Sequence, residues 1–257
     1  MTDYPGLQVE KRGSTAVVTL SNPPANTWTR DSLDALVRLV DDLEADAGIR
    51  TLVLVGEGSK FFCAGADLKL FADGDSGTAA VMSQAFGRAF ERLSAYRGVS
   101  IAAINGYAMG GGLEVALACD LRVAEAQAQL ALPEASVGLL PCAGGTQLLP
   151  HLVGEGWAKR LILLGERIGL VEQVVSAGEA LPAALAMAER AARQSPDSVV
   201  ACKRLVQAAR TVPPALNLPL ERELFVGLFA GSNQQEGVGA FLQKRPPVWQ
   251  VAGKEHA

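Results

Sequence analysis

The sequence predicts an α/β protein in which strands and helices alternate through most of the chain and helices alone complete it. Three observations carry this: short apolar runs of strand length, helical apolar stripes between them, and the loss of every strand signal from about residue 193. The expected organisation is an α/β core over residues 1–192 and a helical region over 193–257.

Leu7 and Val9, then Ala16 to Leu20, flank Gly13 and predict a two-stranded hairpin. Ser21 to Asn26 contains Pro23-Pro24, which removes ladder donors, and reads as a loop. Thr29 or Asp31 can cap a helix whose stripe runs Leu33, Leu36, Val37, Val40, Leu43. Thr51 to Val55 is continuously apolar, as a strand buried on both faces should be. The alternation continues with a loop from Gly56 to Asp67, a helix near 78–96 and a strand from Ser100 to Ile104. A glycine-rich loop over 105–112, a helix through Cys119, strand-like material over 121–132 and a helix from Trp157 to Gly165 follow. In the last region Val199 to Ala209 and Leu220 to Phe229 read as amphipathic helices. A third runs from Glu236 to Lys244 and stops at Pro246-Pro247.

Composition narrows the function. Apolar residues make up 49% and charged residues 19%, with a net charge of -4, so no overall field draws nucleic acid or an anionic membrane to the chain. The four cysteines are scattered without a CxxC pair, which suits reduced thiols. With two histidines and no G-x-S-x-G elbow, neither a histidine-rich metal centre nor a serine triad finds its parts. No basic and apolar leader opens the chain and no apolar run reaches membrane-spanning length, so a cytoplasmic location is expected.

Two segments share one design, an apolar strand followed by small residues and a helix start: Phe61 to Leu68 and Asn105 to Glu114. Small residues admit a ligand to the backbone, and first-turn N–H groups lack partners in the helix. Two such groups from different loops, converging on one oxygen, make an oxyanion hole. Neither loop fits G-x-G-x-x-G, because Val115 stands where the third glycine is needed, and no G-x-x-x-x-G-K-[ST] exists. Glu114 alone would serve as a favourable charge near a helix N-terminus, and Glu134, after Pro133, as a solvated carboxylate. Their joint setting beside glycine- and proline-punctuated loops, in an apolar stretch, marks them as a candidate acid–base pair.

The blocks Ala64-Gly65-Ala66-Asp67-Leu68, Gly110-Gly111-Gly112-Leu113-Glu114, Pro133-Glu134 and Val137-Gly138-Leu139-Leu140-Pro141 resemble the crotonase, or enoyl-CoA hydratase/isomerase, superfamily. Ala143 to Gln147, Glu236-Gly237, Ala240-Phe241 and Lys244-Arg245 continue the match, from about residue 8 to 248. The resemblance implies a crotonase-type spiral of repeated ββα units with a C-terminal helical trimerisation region, assembled as a homotrimer or a dimer of trimers. It implies hydration of a 2-enoyl-CoA thioester, with coenzyme A as part of the substrate and no metal or redox cofactor. The matching oxyanion donors are the N–H groups of Ala66 and Gly111. Glu114 matches the glutamate that activates water and Glu134 the one that exchanges a proton at C2. Coenzyme A would lie along the loops at 22–26 and 64–69, involving Ala25, Ala64, Asp67, Leu68 and Lys69. Phe241 and Lys244 would contribute at the adenine and phosphate end, from a neighbouring subunit.

The sequence departs from the pattern twice. Cys142 stands where hydratases have a glycine whose N–H helps hold the water; the N–H persists, while the thiol adds bulk and a possible nucleophile. Between Glu166-Arg167-Ile168 and Gly169-Leu170-Val171 a short alanine-rich helix of the family pattern is missing, and a stretch left out of the chain is expected there rather than a true deletion. Isomerisation, hydrolysis or decarboxylation of an acyl-CoA remain alternatives, as does a non-catalytic scaffold on the same fold.

Overall fold

The computed structural model describes residues 3–71, 74–166 and 171–250. The chain divides into two compact units, Met1–Ala188 and Glu189–Ala257.

The first unit opens with the predicted hairpin, β1 (Leu7–Arg12) antiparallel to β2 (Thr15–Leu20). Helix α1 (Arg30–Ala45) is capped by Thr29, whose hydroxyl accepts from the Ser32 N–H at 3.2 Å while Ser32 reaches back to the Thr29 N–H at 2.9 Å. Strand β3 (Thr51–Gly56) follows and lies parallel to β2. From here the chain repeats a pattern. Each long strand is succeeded by a two- or three-residue strand that joins a different sheet: β3 then β4 (Phe61–Cys63), β5 (Val99–Ile104) then β6 (Tyr107–Met109), β7 (Leu121–Glu125) then β8 (Leu130–Ala131). Helices α2 (Ser76–Ser94) and α3 (Gly111–Ala118) separate the repeats. With β9 (Gln173–Val175), the long strands form a six-stranded sheet in the order β1-β2-β3-β5-β7-β9. The short ones form a three-stranded parallel sheet, β4-β6-β8. Successive repeats therefore stack in register, one strand spacing apart, as coils of a spiral.

The central strands β2, β3, β5 and β7 of the large sheet are buried on both faces, which explains their apolar runs. Ala16, Val18, Leu52, Leu54, Ala102 and Ile104 face the main core beneath α1 and α2. Their alternates Val17, Val53, Ile101, Ala103 and Val123 meet a second helix face made of Ala180, Ala184 and Ala188. Those alanines recur every four residues along α6 (Ala180–Ala192), which follows α4 (Gly145–Val153) and α5 (Glu155–Leu163). The turn from the large sheet into the small one is held by Asn105. Its amide donates to the carbonyls of Gly56 at 2.8 Å and Gly58 at 2.7 Å, and its Oδ1 accepts from the Gly56 N–H at 3.1 Å.

The segments expected as loops over 56–67 and 105–112 thus contain β4 and β6. Strands this short carry no readable alternation, and only pairing with a neighbouring coil makes them strands. The shortened stretch anticipated near Ile168-Gly169 lies outside the described residues.

The second unit is helical: α7 (Pro196–Ala208), α8 (Pro214–Gly227), a 3-10 turn at Leu228–Ala230, and α9 (Ser232–Leu242). Helix α8 starts earlier than the sequence expectation because Pro214 sits at its first position, where no N–H is needed. The final segment folds back onto this unit through the Arg245–Glu236 ion pair at 2.6 Å and the Trp249 indole N–H to the Arg193 carbonyl at 2.8 Å.

Candidate active site

The small sheet decides where chemistry can occur. Each of its strands ends at the same edge and releases one candidate group: Ala66 lies three residues beyond β4, Gly111 two beyond β6, and Glu134 three beyond β8. Helix α3 begins at Gly111 and brings Glu114 back under the same edge. For α3 to start there, Gly112 must pack on β4 without a side chain; a Cβ at that position would stand 2.0 Å from the Cys63 carbonyl oxygen. Gly65 adopts φ +88, and a Cβ on it would lie 3.1 Å from the Gly111 nitrogen, so the two small-residue loops abut. Among the described residues neither the Ala66 nor the Gly111 N–H donates a hydrogen bond. For Gly111 the cause is its place in the first helical turn.

These groups open on a cavity of about 610 Å³. Ala64, Ala66, Leu68, Gly111, Glu114 and Glu134 all line it, and Cys142 joins them. Glu114 is 2% exposed, and its Oε1 accepts from the N–H groups of Ala143 at 2.8 Å and Gly145 at 2.9 Å. Burial holds its carboxyl above the ordinary carboxylate range, against the pull of those two N–H groups. Glu134 is pushed up further, to about 7, by burial first, with the charge of Glu114 adding to it. Its Oε2 is buried with no hydrogen-bond partner among the described residues. The pair therefore divides its work by environment: one carboxylate is fixed and hydrogen-bonded, and the other holds a proton near neutral pH.

Cys142 is exposed to the cavity, yet its thiol is pushed up to about 11 by burial and by the charges of Glu114 and Glu134. It is a neutral thiol at physiological pH and a poor nucleophile. The remaining residues picked out by the sequence do not line the cavity. Ala25 accepts from the Ala64 N–H at 3.0 Å and so ties the loop at 22–26 to the loop at 64–69. Asp67 accepts from the Lys69 N–H at 3.1 Å, and Lys69 is exposed. Phe241, 82% exposed on α9, and Lys244, at φ 55, belong to the second unit. Sequence reasoning missed the anchoring role of Ala143 and Gly145; the glycine run at 144–145 was its only sign. Among the described residues no group of three or more His, Cys, Asp or Glu side chains gathers as a metal site requires.

The chain is similar to known proteins over nearly its whole length. The family model for enoyl-CoA hydratase/isomerase matches residues 10–252. The 2,3-dehydroadipyl-CoA hydratase of Escherichia coli (strain K12) is 38% identical over 252 residues, covering 94% of this chain and 97% of its own. A solved structure of Pseudomonas aeruginosa DspI superposes with a TM-score of 0.95 at 59% identity, covering 97% of this chain and 98% of that one. An enoyl-CoA hydratase from Bacillus anthracis superposes with a TM-score of 0.91 at 33% identity, covering 95% and 98%.

Proposed function

This chain belongs to the enoyl-CoA hydratase/isomerase family, and from that membership we propose that it adds water reversibly across the 2,3 double bond of a 2-enoyl-CoA thioester. The observation that carries the reaction type is the pair of carboxylates of unlike environment, Glu114 buried and Glu134 half-buried, facing one cavity beside two unpaired N–H groups.

The Ala66 and Gly111 N–H groups receive the thioester oxygen. As water attacks C3, the double-bond electrons move toward that oxygen and an enolate forms, where each donor contributes about 3 kcal/mol to the transition state. Glu114, fixed by the Ala143 and Gly145 N–H groups, takes the proton that water loses. Glu134, carrying a proton near neutral pH, delivers it to C2 as the enolate collapses. A proton passing from Glu114 back to Glu134 restores the starting state. Isomerisation needs a single group moving a proton between two carbons and leaves the second carboxylate without a task.

Coenzyme A, part of the substrate, runs along the loops at 22–26 and 64–69, with Ala25, Ala64, Asp67, Leu68 and Lys69 as contacts and Cys142 beside the water. No separate cofactor takes part. The protein assembles as a homotrimer or dimer of trimers, with Phe241 and Lys244 reaching a neighbour's coenzyme A. Exposed Leu216, Phe225, Val226 and Phe229 in the helical unit support an assembly surface. Among the described residues no helix is long and apolar enough to cross a membrane, which suits a cytoplasmic enzyme.

The test is loss of enoyl-thioester absorbance with crotonyl-CoA. Turnover by the parent and a drop of about 100-fold or more in Glu114→Gln support the reading. Absence of hydration with short and long enoyl-CoA alike sinks it.

A further inference from the structure

The cavity is much larger than the reacting atoms, and we infer that it is built for an uncharged aliphatic acyl chain of medium length, about eight carbons or more. The inference rests on the hydratase reading and extends it to substrate class.

Its volume is about 610 Å³. At roughly 30 Å³ per heavy atom, the share of a water molecule in its liquid, this space takes about 20 atoms. The reacting head of a crotonyl thioester, four carbons with an oxygen and a sulfur, fills about a third of that. The adjoining arm of coenzyme A takes part of the rest at Ala64 and Leu68, and a short acyl chain would leave the remainder to water against apolar walls.

The walls are chosen for alkane. Leu68, Phe71 and Phe86 come from the segment after the first loop, and Val137, Leu139 and Leu140 from the segment after Glu134. Of these, Val137 is 53%, Leu139 44% and Leu140 66% exposed, a concentration of open apolar surface that a bound chain would cover. The two hydroxyls in the lining direct their protons elsewhere: Ser83 donates to the Ala80 carbonyl at 3.0 Å and Ser136 to the Pro133 carbonyl at 2.7 Å. Among the described residues no Lys, Arg or His lines the cavity, and its only charged side chains are Glu114 and Glu134. A carboxylate at the far end of the acyl chain would lose its water there and meet no counter-ion. Besides Phe86, α2 lines the cavity with Ala79, Ala80 and Ser83, small side chains that leave the channel open.

The experiment compares kcat/KM for hydration of straight 2-enoyl-CoA esters of increasing length with that for 2,3-dehydroadipyl-CoA, which carries a terminal carboxylate. A buried methylene at full value gives about fourfold, so roughly 200-fold is expected between four and eight carbons. The dicarboxylic ester should fall about 100-fold below an uncharged ester of equal length. Ser83→Phe should lower the ratio of eight-carbon to four-carbon turnover by more than about tenfold. Binding of saturated butyryl- and octanoyl-CoA, followed by calorimetry, separates the two levels of the argument. Affinity that tightens with length, without any turnover, supports the acyl class and overturns the reaction. A profile that is flat or falls beyond four carbons, or equal use of the dicarboxylic ester, overturns the inference while leaving the hydratase intact. Neither turnover nor length-dependent binding overturns both.

Discussion

Replacing Glu134 by Gln keeps the shape of the side chain and removes the proton that the mechanism delivers to C2. The parent carboxyl is pushed up to about 7 by burial and by Glu114. If its acidic form is the active one, kcat/KM is level below that value and falls about tenfold for each pH unit above it, reaching roughly 1% at pH 9. The limb belongs to the coupled Glu114–Glu134 pair, so it should also move when Glu114 is neutralised. In Glu134→Gln the rate should drop by about 10²–10⁴-fold, the span of a lost general acid, and the alkaline limb should vanish. Initial rates with a saturable enoyl-CoA from pH 6 to 9, for parent and variant in one buffer series, measure all of this. A parent profile that is flat across that range refutes the assignment. So does a variant within tenfold of the parent, or one that keeps the limb.

The same substitution should change stability in a pH-dependent way. Burial raises the folded-state value above that of the unfolded chain, so the folded parent binds more protons and loses stability as pH rises from the ordinary carboxylate range to about 7. Thermal melts should therefore show Glu134→Gln gaining on the parent across that window and holding a constant lead above it. Gly112→Ala forces a Cβ to within 2.0 Å of the Cys63 carbonyl and should cost about 1–3 kcal/mol in urea unfolding, with loss of activity beyond the loss of fold. Arg122 is buried at 3% exposure, where it pairs with Glu172 at 2.5 Å and donates to the Ala116 and Cys119 carbonyls at the end of α3. Arg122→Met should cost about 2–3 kcal/mol by the same measurement. In a Cys202→Ser background, alkylation of Cys142 should be slow at pH 7 and accelerate about tenfold per pH unit toward pH 10, because its thiol lies at about 11.

Much of this was legible in the sequence, for reasons that differ by element. The runs at 16–20, 51–55 and 100–104 announced strands because both faces of these central strands are covered, so no polar alternation interrupts them. The helix after Thr29 was readable because its cap and stripe are local. Strands β4 and β6 were not, since three residues hold no period and their partners lie in other coils; β8 fell within the strand-like stretch at 121–132. The carboxylates were found from their neighbours in sequence, yet their unlike character was not. It comes from Ala143 and Gly145, about thirty positions from Glu114, and from burial that only the assembled coils provide. The helical end was recognisable as helices, while Pro214 set a start that an apolar stripe from Leu220 could not reveal.

The three-stranded ladder β4-β6-β8 also acts as a ruler. Ala66, Gly111 and Glu134 follow the ends of adjacent rungs by two or three residues, so the repeat between hydrogen-bonded strands, about 4.8 Å, spaces the points from which they are released. Slipping one rung by a residue would carry its group about 3.3 Å along the strand, more than the reach of a hydrogen bond. Insertions and deletions are therefore tolerable in the excursions between rungs, such as α2 and the turn before it, where length has no bearing on the ruler. Within a rung a single extra residue would leave a well-packed coil and a dismantled catalyst. Lineages of this architecture should accordingly vary in girth while keeping these three strands at constant length.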